Sequence, residues 1–542
     1  MEIDYLIVGQ GLAGSILAWE LMRHEQRVLV LDNNRENSAS RVAAGLINPV
    51  TGQRLVKSTN VDSCLTEALD CYRNLEQYFA QQFFYPLPML RLFQSSADQD
   101  RYRQRTNDVT YKKYLANEFL PGKSDEPIAD HKGGFEQRET GYLDIAPLMK
   151  AIRQWLEQRQ SYLQTNFDYT ELQLRDGGVR WRELLVKKVV FCEGAGALDN
   201  PWFCWLPFQL CKGDVISLHS KSALPKKIIN DGYWLLPVDG KTAKVGATYE
   251  WQWRTEQPSE TSKLALWDAF QRMTGGVKAS ILKHQSGIRP TTRDKHPFIG
   301  DHPHHKQLAI FNGFGSKGAL LIPQYARQFV TTLLCGKPLP SHATIERFAH
   351  GKSMVTLAKL FVSEHINSGD VAIDATVGNG YDTEFLARRV GAQGHVYGFD
   401  LQQQAIVNTQ NRLRGMGLES RVTLIHAGHE IMDEFLDENL RGRLAAIMFN
   451  LGYLPGGDKS VQTQTKTTIN ALKHSLNLLK GGGIITIVTY SGHTGGDSET
   501  RDVRNWLEEL SNDGNQDIDV EFVLPESITA NAPGLIKIIR KY

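Results

Sequence analysis

The sequence predicts an α/β protein built as two successive units, and three observations predict it. The chain has 542 residues, too many for a single hydrophobic core and enough for two or three domains. Near the N-terminus a β-branched strand, a glycine turn, a helix and a second strand ending in an acid follow one another, and the pattern is written again from Val371. Between the copies, the segment CGKPLPSHAT (335–344) carries a glycine and two prolines after a helical run ending near Leu334, which makes it the best linker candidate. Domains are expected at 1–340 and 345–542. Runs such as 187–192 and 484–489 read as buried parallel strands, and 147–157 reads as an amphipathic helix. The first half has extra strand-rich segments at 215–218, 234–238 and 244–248.

Composition excludes several classes. Charged residues make up 22% and hydrophobic residues 41%, ordinary values for a globular chain and far from those of a disordered one. No stretch offers about 18 uninterrupted apolar residues, so no membrane span is expected, and Glu2 and Asp4 stand where a signal peptide needs positive charge. The six cysteines form no CxxC pair, which in a chain this long reads as reduced thiols in a cytoplasmic protein without a metal cluster. The net charge of +1 hides an asymmetry: from Ala343 onward there are 19 basic against 24 acidic residues, and before it 42 against 36. A polyanion would lie more naturally on the first half, where basic residues gather at Arg101, Arg103 and Arg105, at Lys112–Lys113, at Lys187–Lys188 and at Lys226–Lys227. Scattered solvated charge is the alternative.

In the first unit the strand 4–8 runs directly into GQGLAG (9–14). Gly9 suits a tight turn, Gly11 lets the backbone approach a pyrophosphate, and Gly14 lets the helix pack closely on the strand. The helix start offers unpaired N–H groups and a partial positive charge to phosphates. The second strand, 27–31, ends at Asp32, placed to accept hydrogen bonds from a ribose diol. Further along come SRVAAGLINP (40–49), VVFCEGAG (189–196), GIRP (287–290), then Asp294, Pro297, Gly300 and NGFGSKG (312–318).

This ordered series resembles the D-amino-acid oxidase/glycine oxidase superfamily of FAD enzymes over roughly residues 1–340. Within it the likeness is greatest to glycine oxidases and to the FAD domain of bifunctional tRNA 5-methylaminomethyl-2-thiouridine biosynthesis proteins. The resemblance implies an FAD-binding domain with an inserted antiparallel-sheet substrate domain. It places Gly45 near the isoalloxazine ring, Gly194 on the adenosine side, and Gly315, Lys317 and Gly318 by the flavin pyrimidine. It also implies that Arg289, the arginine of G-x-R-P, holds a substrate carboxylate. The chemistry suits arginine, whose planar fork meets a carboxylate with two charge-assisted hydrogen bonds. A structural ion pair is the alternative for Arg289. Tyr233, in GYWLLP (232–237), lies where glycine oxidases place an assisting tyrosine, although Trp234 occupies the aligned position. The cluster His302, His304 and His305 reads as a solvated loop rather than a metal site, and no metal is expected.

In the second unit VAIDATVGNGYDT (371–383) is a strand, a glycine turn and a helix start, and VYGFD (396–400) is the next strand. The first strand ends in Asp374, the turn carries Gly378, Asn379 and Gly380, and Asp400 closes the second strand. That arrangement resembles the S-adenosylmethionine site of class I methyltransferases, which implies that Asp400 accepts from both ribose hydroxyls; another nucleotide fold with the same strand–helix–strand unit is the alternative. Together with FDLQ (399–402), HAGH (426–429), MFNLGYLPGGD (448–458) and YSGH (490–493), it resembles the small rRNA methylase family over residues 350–542. Members of that family methylate 5-aminomethyluridine at the tRNA wobble position. The resemblance puts Asn379, Asp382, Asp400, Gln402 and His429 around S-adenosylmethionine. Asn450 to Tyr453 follow a strand at 445–449, where amino-methylating enzymes carry an Asn/Asp-Pro-Pro-Tyr motif, and here the motif is NLGY without prolines. A turn with no catalytic part is the alternative, and His493 reads equally as a core or capping histidine.

The two resemblances imply two Rossmann-like units with FAD and S-adenosylmethionine as cofactors and tRNA as partner. Oxidation of 5-carboxymethylaminomethyluridine would yield the primary amine that the second family methylates. In the bifunctional tRNA proteins the methyltransferase comes first and is of another family; here the order is reversed. An oxidase for small glycine-like amines fused to an rRNA methyltransferase remains the alternative.

Overall fold

The computed structural model describes the chain apart from residues 1, 254, 350–352, 453, 455, 458–461, 492–495, 513–516 and 524–532. The chain divides into two compact units. The first comprises Met1–Ala195, Phe208–Trp251 and Thr255–Thr344, and the second Gly196–Pro207, Gln252–Arg254 and Ile345–Tyr542.

In the first unit the strand Glu2–Val8 is buried along nearly its whole length, as an apolar β-branched run requires. It pairs in parallel with Val28–Asp32 on one side and Leu184–Phe191 on the other. Tyr162–Gln164 extends the sheet beyond Val28–Asp32, and Leu308–Asn312 extends it beyond Leu184–Phe191, both in parallel. The strand expected at 187–192 starts earlier, at Leu184, because its first residues pair antiparallel with the hairpin strand Gly178–Trp181. The helix expected at 147–157 is Ile145–Gln158. Helix Leu12–Arg23 packs so closely on the first strand that a Cβ on Gly14 would lie 2.0 Å from the Gly9 carbonyl oxygen. Gly9 itself turns the chain at φ +103°, a conformation closed to other residues.

A second eight-stranded sheet runs in the order Ala279–Arg289, Cys211–Ser220, Thr242–Gly246, Trp234–Pro237, Ile228–Asn230, Met89–Leu92, Gly134–Gln137, Leu115–Phe119. It is antiparallel except where Ile228–Asn230 meets Met89–Leu92. Helix Glu260–Thr274, capped by the Ser259 hydroxyl, covers one face with Leu266, Phe270 and Met273 against Leu235 and Val245. The opposite face carries Val42, Val215, Ala247 and Trp234.

The expected linker is not a free tether. Helix Gly318–Cys335 ends at Gly336, and the chain then folds back so that Ala343 is buried and its carbonyl accepts from the Ile299 N–H (3.1 Å).

The second unit has a seven-stranded sheet. Taken in chain order, its strands lie third, second, first, fourth, fifth, seventh, sixth, and only Gly534–Arg540 runs against its neighbours. The run expected at 484–489 is therefore parallel to Leu444–Asn450 on one side and antiparallel to Gly534–Arg540 on the other. No helix among the described residues is long and apolar enough to cross a membrane.

Gly14→Ala is expected to cost about 1–3 kcal/mol, because the new methyl group meets rigid backbone. Chemical denaturation followed by tryptophan fluorescence measures it. An unchanged midpoint would mean that the helix withdraws from the strand freely.

Candidate active sites

In each unit the glycine turn and the strand-end acid sit at the carboxyl ends of parallel strands, where the strand order reverses and a crevice opens. In the first unit the reversal lies between Glu2–Val8 and Leu184–Phe191. Gly9, Gly11 and Gly14 wrap the start of helix Leu12–Arg23, whose N-cap Gly11 offers no side-chain cap. The Leu12 N–H donates instead to the Ser40 hydroxyl (3.0 Å), which ties the 40–49 motif to the helix start. Asp32 ends its strand, as expected, and accepts from the N–H groups of Gln10 and Asn34 (3.0 Å each) and from Arg153 (3.3 Å). A Cβ on Gly194 would meet nothing within 4 Å, so the backbone there faces open space. An open cradle, a glycine N-cap with no side chain of its own and an acid at the strand end fit a dinucleotide.

Three separated motifs converge beside it. Ser38 bridges to Ile288, and the Cβ position of Gly287 lies 3.2 Å from Val42. The Gly315 N–H donates to the Pro290 carbonyl (3.2 Å), bringing the 312–318 turn against Arg289. Lys317 stands half-buried at the start of helix Gly318–Cys335, and burial, then Lys295, lowers its ammonium pKa. Gly45 packs on Leu143, whose N–H donates to the Gly45 carbonyl (2.9 Å).

Arg289 ends its strand opposite Cys211. Its guanidinium lies flat over Gly213, where a Cβ would be 2.1 Å from the Arg289 Nη2. One nitrogen donates to the Thr248 carbonyl (3.1 Å), and the group stacks on the Tyr249 ring at 4.5 Å from its centre. Among the described residues no carboxylate pairs with it, so the structural ion-pair alternative has no partner there. Beneath it, on the other face of the sheet, Lys212 is buried with Glu250 at 3.4 Å, and Asp214 takes His284 at 2.9 Å.

Two expectations change here. Tyr233 does not face Arg289. It packs with Leu235, Val245 and Phe270 on the helix side, while Trp234 lies over Gly246 on the Arg289 side. Period-two alternation from the register Trp234–Gly246–Val215 fixes that choice. The histidine loop is not uniformly solvated either. His302 is 1% exposed, because its Nδ1 accepts from the N–H groups of His304 (3.3 Å) and His305 (3.2 Å) and closes the turn.

Residues 4–331 match the family of FAD dependent oxidoreductases. The chain belongs to that family. Its first unit has the fold of glycine oxidase from Geobacillus kaustophilus, at 19% identity and a TM-score of 0.55, over 62% of this chain and 96% of that one. Residues 396–533 match the rRNA methylase family, so this FAD dependent oxidoreductase carries a methylase domain after its oxidoreductase domain. The methylase part is 42% identical over 156 residues to the chloroplastic tRNA (mnm(5)s(2)U34)-methyltransferase of Arabidopsis thaliana, covering 27% of this chain and 56% of the relative. The oxidoreductase is 20% identical over 392 residues to the bifunctional tRNA 5-methylaminomethyl-2-thiouridine biosynthesis protein of Leptospira interrogans, covering 64% of this chain and 59% of that one. The chain thus spans between half and two thirds of these relatives' length.

In the methylase domain Gly378, Asn379 and Gly380 turn the chain between strand Val371–Asp374 and helix Tyr381–Arg389. Asp400 accepts from the Gly378 and Gln402 N–H groups (2.8 Å each). The Asn379 side chain accepts from Asn408 (3.2 Å). Asp374 accepts from the Thr376 N–H (3.1 Å) and the Thr383 hydroxyl (2.6 Å), and burial, then the Asp382 carboxylate, raises its pKa. Asn450 donates to Asp382 (3.3 Å), which also pairs with Lys359 (2.8 Å). His429 donates through Nδ1 to the Ala375 carbonyl (3.0 Å), leaving its buried Nε2 with no hydrogen-bond partner among the described residues. A bare acceptor beside an acid-closed glycine turn fits a nucleoside-bearing cofactor. Tyr453 and His493 lie outside the described residues.

Several site residues escaped sequence reasoning. Arg153 carried a signal, since it falls within the apolar stripe of Met149, Ile152 and Leu156. Gly213 and Lys359 carried none. Of the basic groups, Arg101 pairs with Asp98, Arg103 with Glu118 and Lys227 with Asp125, so part of the first unit's local charge is neutralised on its surface.

Burial lowers the His429 pKa from its ordinary value of 6.5. The folded chain therefore resists the proton that the unfolded chain takes up as pH falls through about 6.5. Stability should decline from there down to the lower folded value, by at most about 1.4 kcal/mol per pH unit for this one group. Denaturation midpoints measured between those limits should fall less in His429→Gln than in the wild type; equal slopes would mean that His429 is not held neutral.

Proposed function

We propose that this chain modifies the wobble uridine of tRNA in two steps. The observation that supports it most is the Arg289 guanidinium, laid over Gly213 and Tyr249 without a carboxylate partner among the described residues, in a chain that also carries a methylase domain. Arg289 would grip the carboxylate of 5-carboxymethylaminomethyluridine with two charge-assisted bonds and fix the adjacent CH2 for reaction. FAD, when bound, would supply the two-electron oxidation of that carbon–nitrogen unit, with dioxygen as final acceptor and hydrogen peroxide as its product. Water then completes cleavage of the C–N bond, releasing glyoxylate and leaving 5-aminomethyluridine. Gly9, Gly11, Gly14, Asp32, Gly45, Gly194, Gly315, Lys317 and Gly318 are the residues we assign to FAD.

The second step needs the primary amine neutral, with its lone pair toward the methyl donor. S-adenosylmethionine supplies that methyl group from its sulfonium. Asp374, Gly378, Asn379, Gly380, Asp382, Asp400, Gln402 and His429 are assigned to it. The Asn450 side-chain carbonyl would accept an N–H bond and orient the amine, with Lys359 and Asp382 holding the Asn450 amide in place. Domains 1–340 and 345–542 would carry the two activities, and we place them in the cytoplasm with the tRNA.

Gly213→Ala pushes the Arg289 fork off its seat without disturbing rigid backbone. Oxidase assays should show a raised KM for carboxylate substrate, as in Arg289→Lys, with the unfolding midpoint of the wild type. Wild-type kinetics in both variants would remove Arg289 from carboxylate binding.

The deciding experiment incubates the protein with tRNA carrying 5-carboxymethylaminomethyluridine and weighs the digested nucleosides. Without S-adenosylmethionine 5-aminomethyluridine should accumulate; with it, 5-methylaminomethyluridine should form. Asp400→Ala should stop at the primary amine. An unchanged wobble nucleoside beside rapid oxidation of free glycine would reject the tRNA assignment.

A further inference from the structure

The segment Thr248 to Trp251 leaves the second sheet, pairs back with Lys212 through Glu250 and bends at Trp251. Lys212 and Glu250 exchange backbone hydrogen bonds, N–H to carbonyl at 3.0 and 2.9 Å. The Glu250 carboxylate turns inward to the buried Lys212 ammonium (3.4 Å) and to the Ser259 hydroxyl (3.3 Å). With Glu250 pointing in, period-two alternation sends Tyr249 and Trp251 outward to the Arg289 side. Both are large aromatics left 58% and 51% exposed. Tyr249 meets the Arg289 guanidinium, and no ring contact joins it to Trp251.

We propose that Tyr249 and Trp251 form a clamp that stacks an unpaired nucleobase beside Arg289, an inference that rests on the tRNA reading above. Residues two apart on an extended strand stand about 6.6–6.8 Å apart. That is twice the rise of about 3.4 Å between stacked bases, so one base fits between the two rings. The guanidinium takes one face of Tyr249, and a base stacked on the other would set a carboxylate and a base on opposite sides of one ring. A carboxymethylaminomethyl arm on a splayed uridine, or the base next to it, spans such a distance. Aromatic stacking is how proteins hold splayed bases, because every base offers a π face. The pairing of Glu250 with buried Lys212 beneath two exposed rings rigidifies them before the ligand arrives, which lowers the entropy lost on binding. The clamp would separate a nucleotide-borne secondary amine from free glycine, whose carboxylate Arg289 holds equally well.

The test is binding, read by fluorescence anisotropy on the full-length protein with two labelled RNAs. One is a hairpin with unpaired uridine in its loop; the other is the same stem closed as a blunt duplex. Trp251→Ala should weaken the hairpin by about tenfold and leave the duplex unchanged, since a stacked base contributes on that scale. Trp251→Phe, which keeps a π face, should retain most of the affinity. A hairpin isotherm unchanged in Trp251→Ala, an equal loss for hairpin and duplex, or a Phe variant as weak as Ala would each overturn the clamp. Loop-specific loss in a protein that fails to convert modified tRNA would sink the reaction and keep the clamp. Full conversion with an unaltered Trp251→Ala isotherm would do the reverse.

Discussion

Parallel pairing of the first strand in each unit is the constraint from which the rest follows. Glu2–Val8 and Val371–Asp374 both lie between two parallel neighbours, and both are buried from end to end or nearly so. A strand so enclosed can leave its sheet only at its carboxyl end. There the chain must turn sharply, and the helix that follows must begin facing the crevice. The glycines, the strand-end acids Asp32 and Asp400 and the first turns of the helices are brought together by that geometry. Longer-range contacts then decide what else joins them.

In the oxidoreductase domain the longer-range contacts are those of the second sheet. Arg289 owes its position to the pairing of Ala279–Arg289 with Cys211–Ser220, which sets its side chain over Gly213. Burying Lys212 and Asp214 behind that face costs desolvation, and pairing with Glu250 and His284 offsets it. The consequence is a stiff floor under Thr248 and Tyr249, which hold the guanidinium by a hydrogen bond and by stacking. In the methylase domain a similar economy holds Asn450, whose amide is fixed by Asp382 and whose N–H donates to the Thr376 hydroxyl (2.7 Å).

The two domains also differ in how their acids are treated. Asp400 accepts two backbone N–H bonds and is open to a ligand at the crevice. Asp374, one strand away, is fully buried and spends both oxygens on Thr376 and Thr383. It shapes the glycine turn from beneath, and the raised pKa reflects that burial. The two acids assigned to one cofactor thus stand differently, Asp400 bonded to the backbone of the turn and Asp374 buried beneath it.

Most of the cofactor cradles was legible in the sequence because they are local. A glycine turn needs particular residues within six positions, and an acid closing a strand is fixed by the strand's own length. Arg289 stood out as a candidate for the same reason, through its immediate G-I-R-P context. The tertiary structure alone decided which side of the second sheet each aromatic faces. Tyr233 and Trp234 are neighbours in sequence, and one step of register assigns the first to the core beneath helix Glu260–Thr274 and the second to the Arg289 side. Gly213, Tyr249 and Lys359 joined the sites through pairings between segments far apart in the chain. Their roles depend on strand register and helix packing, which no short window of residues encodes.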